Sequence, residues 1–146
     1  MQTTSTSVRD LASKAGEDAT LHGWAAGFRS SGKIAFLELR DGTGTVQVVV
    51  ARNEVDDLSW EAVADLALES AVRVTGTVRK DDRAPGGFEI TARALEVVGS
   101  SDEYPIQPKE HGIDFLLNHR HLWLRHGRQV AIMRVRDEIV KAIRDF

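Results

Sequence analysis

An aromatic ring and an amide are predicted to lie side by side on the open face of a β-sheet. Residues 34–40 and 45–50 each alternate aliphatic residues with larger or polar ones, the pattern of strands that bury one face. The residues predicted to be buried are Ala35, Leu37, Leu39, Val46, Val48 and Val50. This alternation turns Phe36 and Gln47 outward. An unpaired nucleobase can stack on such a ring and form hydrogen bonds with such an amide, so the pair indicates base binding.

Two cations accompany this pair. Arg29 ends the preceding predicted strand, and Lys33 lies in the turn that follows it. Basic groups beside an exposed ring favour a nucleic acid, because they can contact phosphates or base carbonyls. A second interpretation stays open from the residues alone. In it the N-terminal segment covers Phe36 as ordinary core, and Gln47 and Arg29 are merely solvated.

Five predicted strands must position these side chains. They cover residues 20–29, 34–40, 45–50, 71–80 and 88–98, and a helix is predicted within 54–70. Gly23 and Gly27 interrupt the first strand, where a small closed barrel needs bends. This order predicts a mainly β fold, a five-stranded Greek-key barrel of the OB type with a helix between strands three and four. In such barrels strands two and three, with the loop between strands four and five, usually bind oligonucleotides.

Further helices are predicted before and after the barrel. Ser7 can cap a short helix that Gly16 ends, and Asp57 or Ser59 can cap the helix between strands three and four. The segment YPIQPKEHG is extended or looped because its two prolines lack a backbone donor. A last helix is predicted from Arg128 onward, with an apolar stripe of Ile132, Val135, Ile139, Ile143 and Phe146.

Composition restricts the class of protein. The 146 residues have a net charge of −3, which argues against a generally basic nucleic-acid binder. Residues 104–136 nevertheless hold six basic and two acidic residues and four histidines, a local hint of a polyanionic partner. There is no cysteine, hence no disulfide or thiolate metal site. No signal peptide or membrane-spanning stretch is apparent, so a cytoplasmic location is expected.

A set of short motifs carries a family resemblance. They are Gly23-Trp24, Arg29, Ser31-Gly32-Lys33, Phe36, Arg40-Asp41-Gly42, Gly44, Gln47-Val48-Val49 and Val74-Thr75-Gly76. Together they resemble the N-terminal anticodon-binding domain of class IIb aminoacyl-tRNA synthetases, the family of aspartyl, asparaginyl and lysyl enzymes. The runs YPIQPKEHG, FLLNHRHLWLR and APGGFEI resemble the asparaginyl branch. Trp123 stands where the other two branches usually carry an aspartate.

The resemblance implies three regions: an OB-fold anticodon-binding domain at 1–99, a hinge at 100–127, and the truncated start of a class II catalytic domain at 128–146. The interface motif and the ATP-binding arginines of the family lie beyond these residues. The resemblance therefore implies recognition of tRNA by a segment that is catalytically inactive alone, with no catalytic, cofactor-binding or metal residues. In the full-length enzyme it implies ATP and magnesium, and assembly as a homodimer.

The resemblance also implies roles for individual residues. It places the central uridine of the anticodon on Phe36, whose ring stacks a base for about 1–3 kcal/mol whatever its identity. Specificity must then come from the base edge, where Gln47 can accept from the imino group and donate to a carbonyl, while Arg29 only donates. The implied anticodon contacts are Arg29, Lys33, Phe36, Gln47, Lys80 and Arg83. The implied contacts to the tRNA stem or hinge are His119, Arg120, His121 and Arg125.

Other functions stay open at this stage. An aspartyl enzyme of relaxed specificity shares most of the motifs. A free-standing OB module could bind single-stranded nucleic acid, although that role favours several exposed aromatics in a row. A scaffold protein could dimerise through the terminal apolar helix. Metal binding by the four histidines of the hinge is disfavoured, since no acidic or thiol partner lies at a metal-site spacing.

Overall fold

The fold is a closed five-stranded β-barrel followed by a helical segment. The computed structural model describes residues 5–146. The strands are β1 (Asp18–Ser31), β2 (Ile34–Arg40), β3 (Thr45–Ala51), β4 (Ala71–Lys80) and β5 (Phe88–Gly99). They close in the order β1-β2-β3-β5-β4, and every pair is antiparallel except the parallel pair β3–β5. The predicted barrel, with a helix between strands three and four, is confirmed.

Close backbone approaches and a bulge allow the barrel to close. A Cβ atom on Gly23 would lie 2.4 Å from the carbonyl oxygen of Arg40, and one on Gly76 would lie 2.2 Å from that of Thr91. No side chain fits at either position. The β1–β2 register shifts between Ala25 and Gly27, the bulge that the glycines of the first strand predicted.

The core contains the residues predicted from strand alternation. Ala35, Leu37, Leu39, Val48 and Val50 are fully buried, and Val46 is 2% exposed. Burying such apolar surface contributes about 25 cal/mol per Å² and is the main stabilisation of the barrel.

Two predicted helix starts need correction. Helix α1 (Asp57–Ala64) is capped by Asp56, whose carboxylate accepts from the Ser59 amide at 2.8 Å, and neither Asp57 nor Ser59 is the cap. The Ser59 hydroxyl instead accepts from the buried Leu95 amide at 3.0 Å, so it ties α1 to β5. The first helix, Val8–Lys14, is a 3₁₀ helix. Ser7 precedes it without capping, because its hydroxyl donates to Asp10.

A second compact unit begins at Pro105. It contains α2 (Ile113–Asn118), α3 (Arg120–Trp123) and α4 (Gly127–Asp145). The last of these matches the predicted terminal helix, whereas the two short helices were not predicted. The Phe115 ring of α2 contacts two histidine rings. Its centroid lies 4.7 Å from that of His111 and 4.3 Å from that of His119. The domain boundaries at 99 and 127 stay predictions, and the first four residues of the predicted 1–99 domain lie outside the described residues. Among residues 5–146, no helix is long and apolar enough to cross a membrane.

Candidate nucleic-acid interface

Four strands bring five polar or aromatic side chains onto one outward face of the barrel. Across β1 and β2, Arg29 pairs with Phe36. Across β2 and β3, Glu38 pairs with Gln47. The parallel pairing of β3 and β5 then sets Glu89 opposite Gln47. Phe36, Glu38 and Gln47 have the opposite parity to the buried residues of their strands, and Glu89 precedes the buried Ile90. Arg29 has the same parity as the buried Ala25, but the bulge between Ala25 and Gly27 shifts the register and sets Arg29 beside Phe36.

The Phe36 ring lies on this face and not in the core. It is half-buried, and it belongs neither to the buried cluster nor to the hydrophobic residues packed against that cluster. The core interpretation of Phe36 is therefore wrong. The expectation of a fully exposed ring also needs correction, because the Arg29 guanidinium lies 4.4 Å from the ring centroid. This cation–π contact covers part of the ring that a base would use, and the guanidinium offers a second plane for stacking.

The Gln47 side-chain amide is held at both ends. Its oxygen accepts from Arg29 Nη2 at 3.4 Å, and its nitrogen donates to Glu89 Oε2 at 3.2 Å. Arg29, Gln47 and Glu89 thus form one continuous network beside the Phe36 ring. Sequence reasoning missed Glu89. Its alternation with the buried Ile90 predicts an outward side chain, but the contact depends on a pairing between strands about forty residues apart.

A cavity of about 270 Å³ opens at this network. Its lining residues are Gly27, Phe28, Arg29, Phe36, Leu37, Glu38, Thr45, Val46, Gln47 and Pro85. The volume is slightly below the range of about 300–1,000 Å³ that is usual for small-molecule sites. An aromatic ring, an amide, a guanidinium and a carboxylate around so small a space suit a planar group that carries hydrogen-bonding edges.

The other three predicted anticodon contacts lie outside this lining. Lys33 is exposed in the β1–β2 turn, and Lys80 is exposed at the end of β4. The Arg83 side chain is 92% exposed in the β4–β5 loop. Its backbone amide and Nε both donate to Asp81, at 2.9 and 3.3 Å, and these hydrogen bonds lower the pKa of Asp81. Pro85 in the same loop lines the cavity, so the loop borders the site.

The four predicted stem contacts lie in the second compact unit. Arg120, His121 and Arg125 are exposed. His119 is half-buried, since it stacks on Phe115 and its Nδ1 lies 2.9 Å from the carbonyl oxygen of that residue. Three of the four side chains are therefore accessible to a polyanion.

A larger concavity, of about 930 Å³, lies between α1 and the outer face of β1, β4 and β5. Four of its polar side chains bind one another in pairs: the hydroxyls of Thr20 and Thr75 are 3.0 Å apart, and Arg73 forms an ion pair with Glu96. Among the described residues, its lining contains no phenylalanine, tyrosine or tryptophan. It therefore lacks the stacking surface found beside Gln47.

Comparison with known proteins places these features in a family context. Residues 19–98 match the family model for tRNA anticodon domains, described as an OB-fold nucleic acid binding domain. Asparagine–tRNA ligase of Roseiflexus sp. strain RS-1 is 47% identical over 139 residues, and that of Thermus thermophilus is 51% identical over 140. Each match covers 95% of this chain and 32% of the relative, so the chain spans about a third of their length.

A solved structure agrees with this match. The crystal structure of asparaginyl-tRNA synthetase from Pyrococcus horikoshii, complexed with asparaginyl-adenylate, superposes with a TM-score of 0.88 at 36% identity. The match covers 97% of this chain and 33% of that one. The likeness therefore includes both compact units of the chain and is not restricted to the barrel.

Proposed function

This chain belongs to the tRNA anticodon family of OB-fold nucleic acid binding domains, and from that premise we propose that it recognises the anticodon loop of an asparagine tRNA. The observation that carries the proposal is a small open cavity lined by the Phe36 ring, the Arg29 guanidinium over that ring, and the Gln47 amide bound to Arg29. That cavity lies on strands two and three, where OB barrels usually bind oligonucleotides. The identity to asparagine–tRNA ligases, near 50% across 95% of the chain, supports the choice of tRNA.

Recognition divides between stacking and edge contacts. The central uridine stacks on the Phe36 ring or on the Arg29 guanidinium above it, for about 1–3 kcal/mol per base. The Gln47 amide then accepts a hydrogen bond from the uracil imino group and donates one to a carbonyl. Stacking tolerates any base, so discrimination rests on the amide.

The exposed cations add affinity that does not depend on sequence. Lys33, Lys80 and Arg83 contact the phosphates of the anticodon loop, and Arg120, His121 and Arg125 contact the tRNA stem, with His119 beside them. Such contacts release counterions and make binding fall with added salt. The carboxylates of Glu38 and Glu89 repel phosphates, so the backbone of the loop lies away from them and only a base enters the cavity.

The complete protein, by this proposal, attaches asparagine to its tRNA with ATP and magnesium, acts as a homodimer and resides in the cytoplasm. The names of the relatives and the asparaginyl-adenylate bound in the Pyrococcus enzyme support the amino acid. Within residues 5–146 there is no group of three or more histidine, aspartate or glutamate side chains placed to hold a metal ion.

Binding of anticodon stem–loops to the 146-residue chain tests the proposal. We expect the asparagine tRNA stem–loop to bind at least tenfold more tightly than the same loop with adenosine in place of the central uridine. Equal binding of both loops and of a single-stranded oligouridine would overturn it in favour of a non-specific OB module. Equal binding of the aspartate tRNA loop would instead indicate an aspartyl enzyme of relaxed specificity.

A further inference from the structure

A glutamine amide cannot by itself distinguish uracil from cytosine. Rotating the amide by 180° exchanges its oxygen and nitrogen while leaving its shape almost unchanged. Uracil presents an imino donor beside a carbonyl acceptor, and cytosine presents a ring-nitrogen acceptor beside an amino donor. One orientation of the amide pairs with uracil and the other with cytosine. Discrimination at Gln47 therefore requires a group that fixes its orientation.

The neighbours of Gln47 supply that group. The guanidinium of Arg29 has only donors, and it lies 3.4 Å from the amide oxygen. The carboxylate of Glu89 has only acceptors, and it lies 3.2 Å from the amide nitrogen. Rotating the amide would set its N–H groups against the guanidinium and its oxygen against the carboxylate. Both hydrogen bonds would become repulsive contacts, so only one orientation is compatible with both neighbours.

We propose that Glu89 is a positioning residue that locks the Gln47 amide in the orientation that selects uracil over cytosine. This inference rests on the proposed function, because it assumes that a pyrimidine edge meets Gln47. It assigns to Glu89 an action through another side chain and not a contact with phosphate.

The locked amide still has binding capacity for a base. Its oxygen has two lone pairs and its nitrogen two hydrogens, and the network occupies one of each. The remaining lone pair and N–H present an acceptor beside a donor. That pattern complements the imino and carbonyl groups of uracil. Against cytosine it opposes acceptor to acceptor or donor to donor, which leaves polar groups unpaired.

Glu89 is a sharper target than Arg29 for testing this role. Arg29 also contacts the Phe36 ring at 4.4 Å, so its removal would change both the stacking of the base and the hydrogen bonding of Gln47. In the described part of the chain, the Glu89 carboxylate accepts a hydrogen bond from the Gln47 amide. The parallel pairing of Gln47 with Glu89 keeps the two side chains adjacent on neighbouring strands.

The experiment measures the ratio of affinities for two stem–loops that differ only by uridine or cytidine at the central anticodon position. Glu89→Gln retains the shape of the side chain but can either donate or accept, so the Gln47 amide becomes freer to rotate. We expect the uridine-to-cytidine ratio to fall about fivefold or more. Glu89→Asp keeps an acceptor-only group and should retain more of the ratio than Glu89→Gln does.

Glu96→Gln is the matched control, because it makes the same substitution on the same strand at an exposed residue outside the site. Its ratio should equal that of the unsubstituted chain. A second readout needs no RNA: in ¹H–¹⁵N spectra the side-chain amide signals of Gln47 should shift in Glu89→Gln and not in Glu96→Gln. This signal reports the hydrogen bond directly, independently of affinity.

The possible failures are distinguishable. If the unsubstituted chain prefers uridine and Glu89→Gln keeps that preference, the locking role of Glu89 is overturned and the proposed function stands. If the unsubstituted chain binds both loops equally, base reading at Gln47 is overturned and the role of Glu89 with it. Equal losses of the ratio in Glu89→Gln and Glu96→Gln would also overturn the proposal, since the effect would not be specific to the network.

Discussion

The Arg29 guanidinium lies over the Phe36 ring at the point where a base is proposed to stack. An aromatic ring on an open sheet face would otherwise expose apolar area to water, and the cation covers it at a small electrostatic gain. The same guanidinium donates to Gln47. The ring, the cation and the amide are therefore already arranged in the chain without RNA, which lowers the ordering cost of binding.

Replacing Phe36 by alanine tests stacking at the scale of one residue. We expect Phe36→Ala to weaken binding of the asparagine tRNA stem–loop at least tenfold, about 1.4 kcal/mol, because the stacking surface is lost. The free energy of unfolding should change by less than about 1 kcal/mol, since the ring lies outside the core cluster. Fluorescence anisotropy and urea unfolding measure the two quantities.

Ile34→Ala is a suitable control for that experiment. Ile34 is an exposed apolar residue on the same strand and the same face, two residues away and outside the cavity lining. Its replacement should leave affinity within about twofold, because an aliphatic side chain offers no ring for stacking. Unchanged affinity in Phe36→Ala, or an equal loss in both variants, would contradict the stacking role.

Single residues also show what the sequence can and cannot predict. Phe36 and Gln47 were predicted to share one outward face, and both line the same cavity, because strand alternation is regular in β2 and β3 and a short turn joins them in antiparallel order. The register pairs Phe36 with Val49 and Gln47 with Glu38. The contact of Gln47 with Glu89 was out of reach. It arises where β5 pairs in parallel with β3 after a helix and another strand intervene. Alternation alone gives the face of Glu89 but not its neighbour.

At the scale of elements, Asp41 joins the N-terminal 3₁₀ helix to the β2–β3 turn. Its Oδ1 accepts from the amides of Thr43 and Gly44 and from the Thr43 hydroxyl, at 2.7 to 2.9 Å. Its Oδ2 accepts from the Val8 amide at 2.8 Å. Burial raises the pKa of Asp41, but these hydrogen bonds outweigh it and hold the pKa below its usual value.

Asp41→Asn should loosen this junction. An asparagine oxygen can keep the turn contacts, but its NH₂ group would then oppose the Val8 amide, donor against donor. We expect the free energy of unfolding at pH 7 to fall by about 1–2 kcal/mol, the cost of one unsatisfied amide. Urea unfolding at pH 7 measures the change, with Asp65→Asn, an exposed aspartate, as the control.

The difference in the free energy of unfolding between Asp41→Asn and the unsubstituted chain should decrease as the pH falls. Because the folded-state pKa of Asp41 is depressed, its ionised form stabilises the fold above the unfolded-state pKa of about 3.9. That stabilisation is lost as pH falls through the lower folded-state pKa. The two chains should therefore begin to converge in stability as pH falls below about 4, and converge fully only below the folded-state pKa. A difference that stays constant to low pH would rule out the carboxylate as its cause.

The strands and the longer helices were predicted correctly, whereas a helix cap and two short helices were not. The barrel and its helix follow from strand alternation and glycine positions, which act locally. The α1 cap was misplaced because Asp56, Asp57 and Ser59 all suit a cap, and the sequence does not show that Ser59 is needed by Leu95. The short helices α2 and α3 were missed, since segments of four to six residues carry too little periodicity.

At the scale of the whole molecule, an excess of basic residues follows the barrel strands in the sequence. The chain is acidic overall, at a net −3, yet residues 104–136 hold six basic residues against two acidic ones. The barrel site presents Glu38 and Glu89 beside Arg29. This distribution is consistent with the proposal that the barrel recognises a base and the second unit contacts phosphates.

Replacing Arg120 by alanine tests that proposal. Arg120 is exposed at the start of α3. We expect Arg120→Ala to weaken binding of a complete asparagine tRNA, and to reduce the slope of log affinity against log salt by about 1, the value for one lost phosphate contact. Binding of the isolated anticodon stem–loop should stay unchanged, because a stem–loop lacks the more distant phosphates.

Lys141→Ala provides the matched loss of one positive charge, from an exposed residue of α4 in the same unit. A phosphate contact acts at short range, whereas a general effect of net charge would be shared by both variants and screened within about 10 Å at 0.1 M salt. The salt slope for complete tRNA should therefore fall in Arg120→Ala and hold in Lys141→Ala. Equal weakening of the stem–loop and the complete tRNA would place the Arg120 contact within the anticodon stem–loop and contradict a contact with more distant phosphates. No change in binding of the complete tRNA would rule out the contact, and the phosphate attraction would then come from Lys33, Lys80 and Arg83.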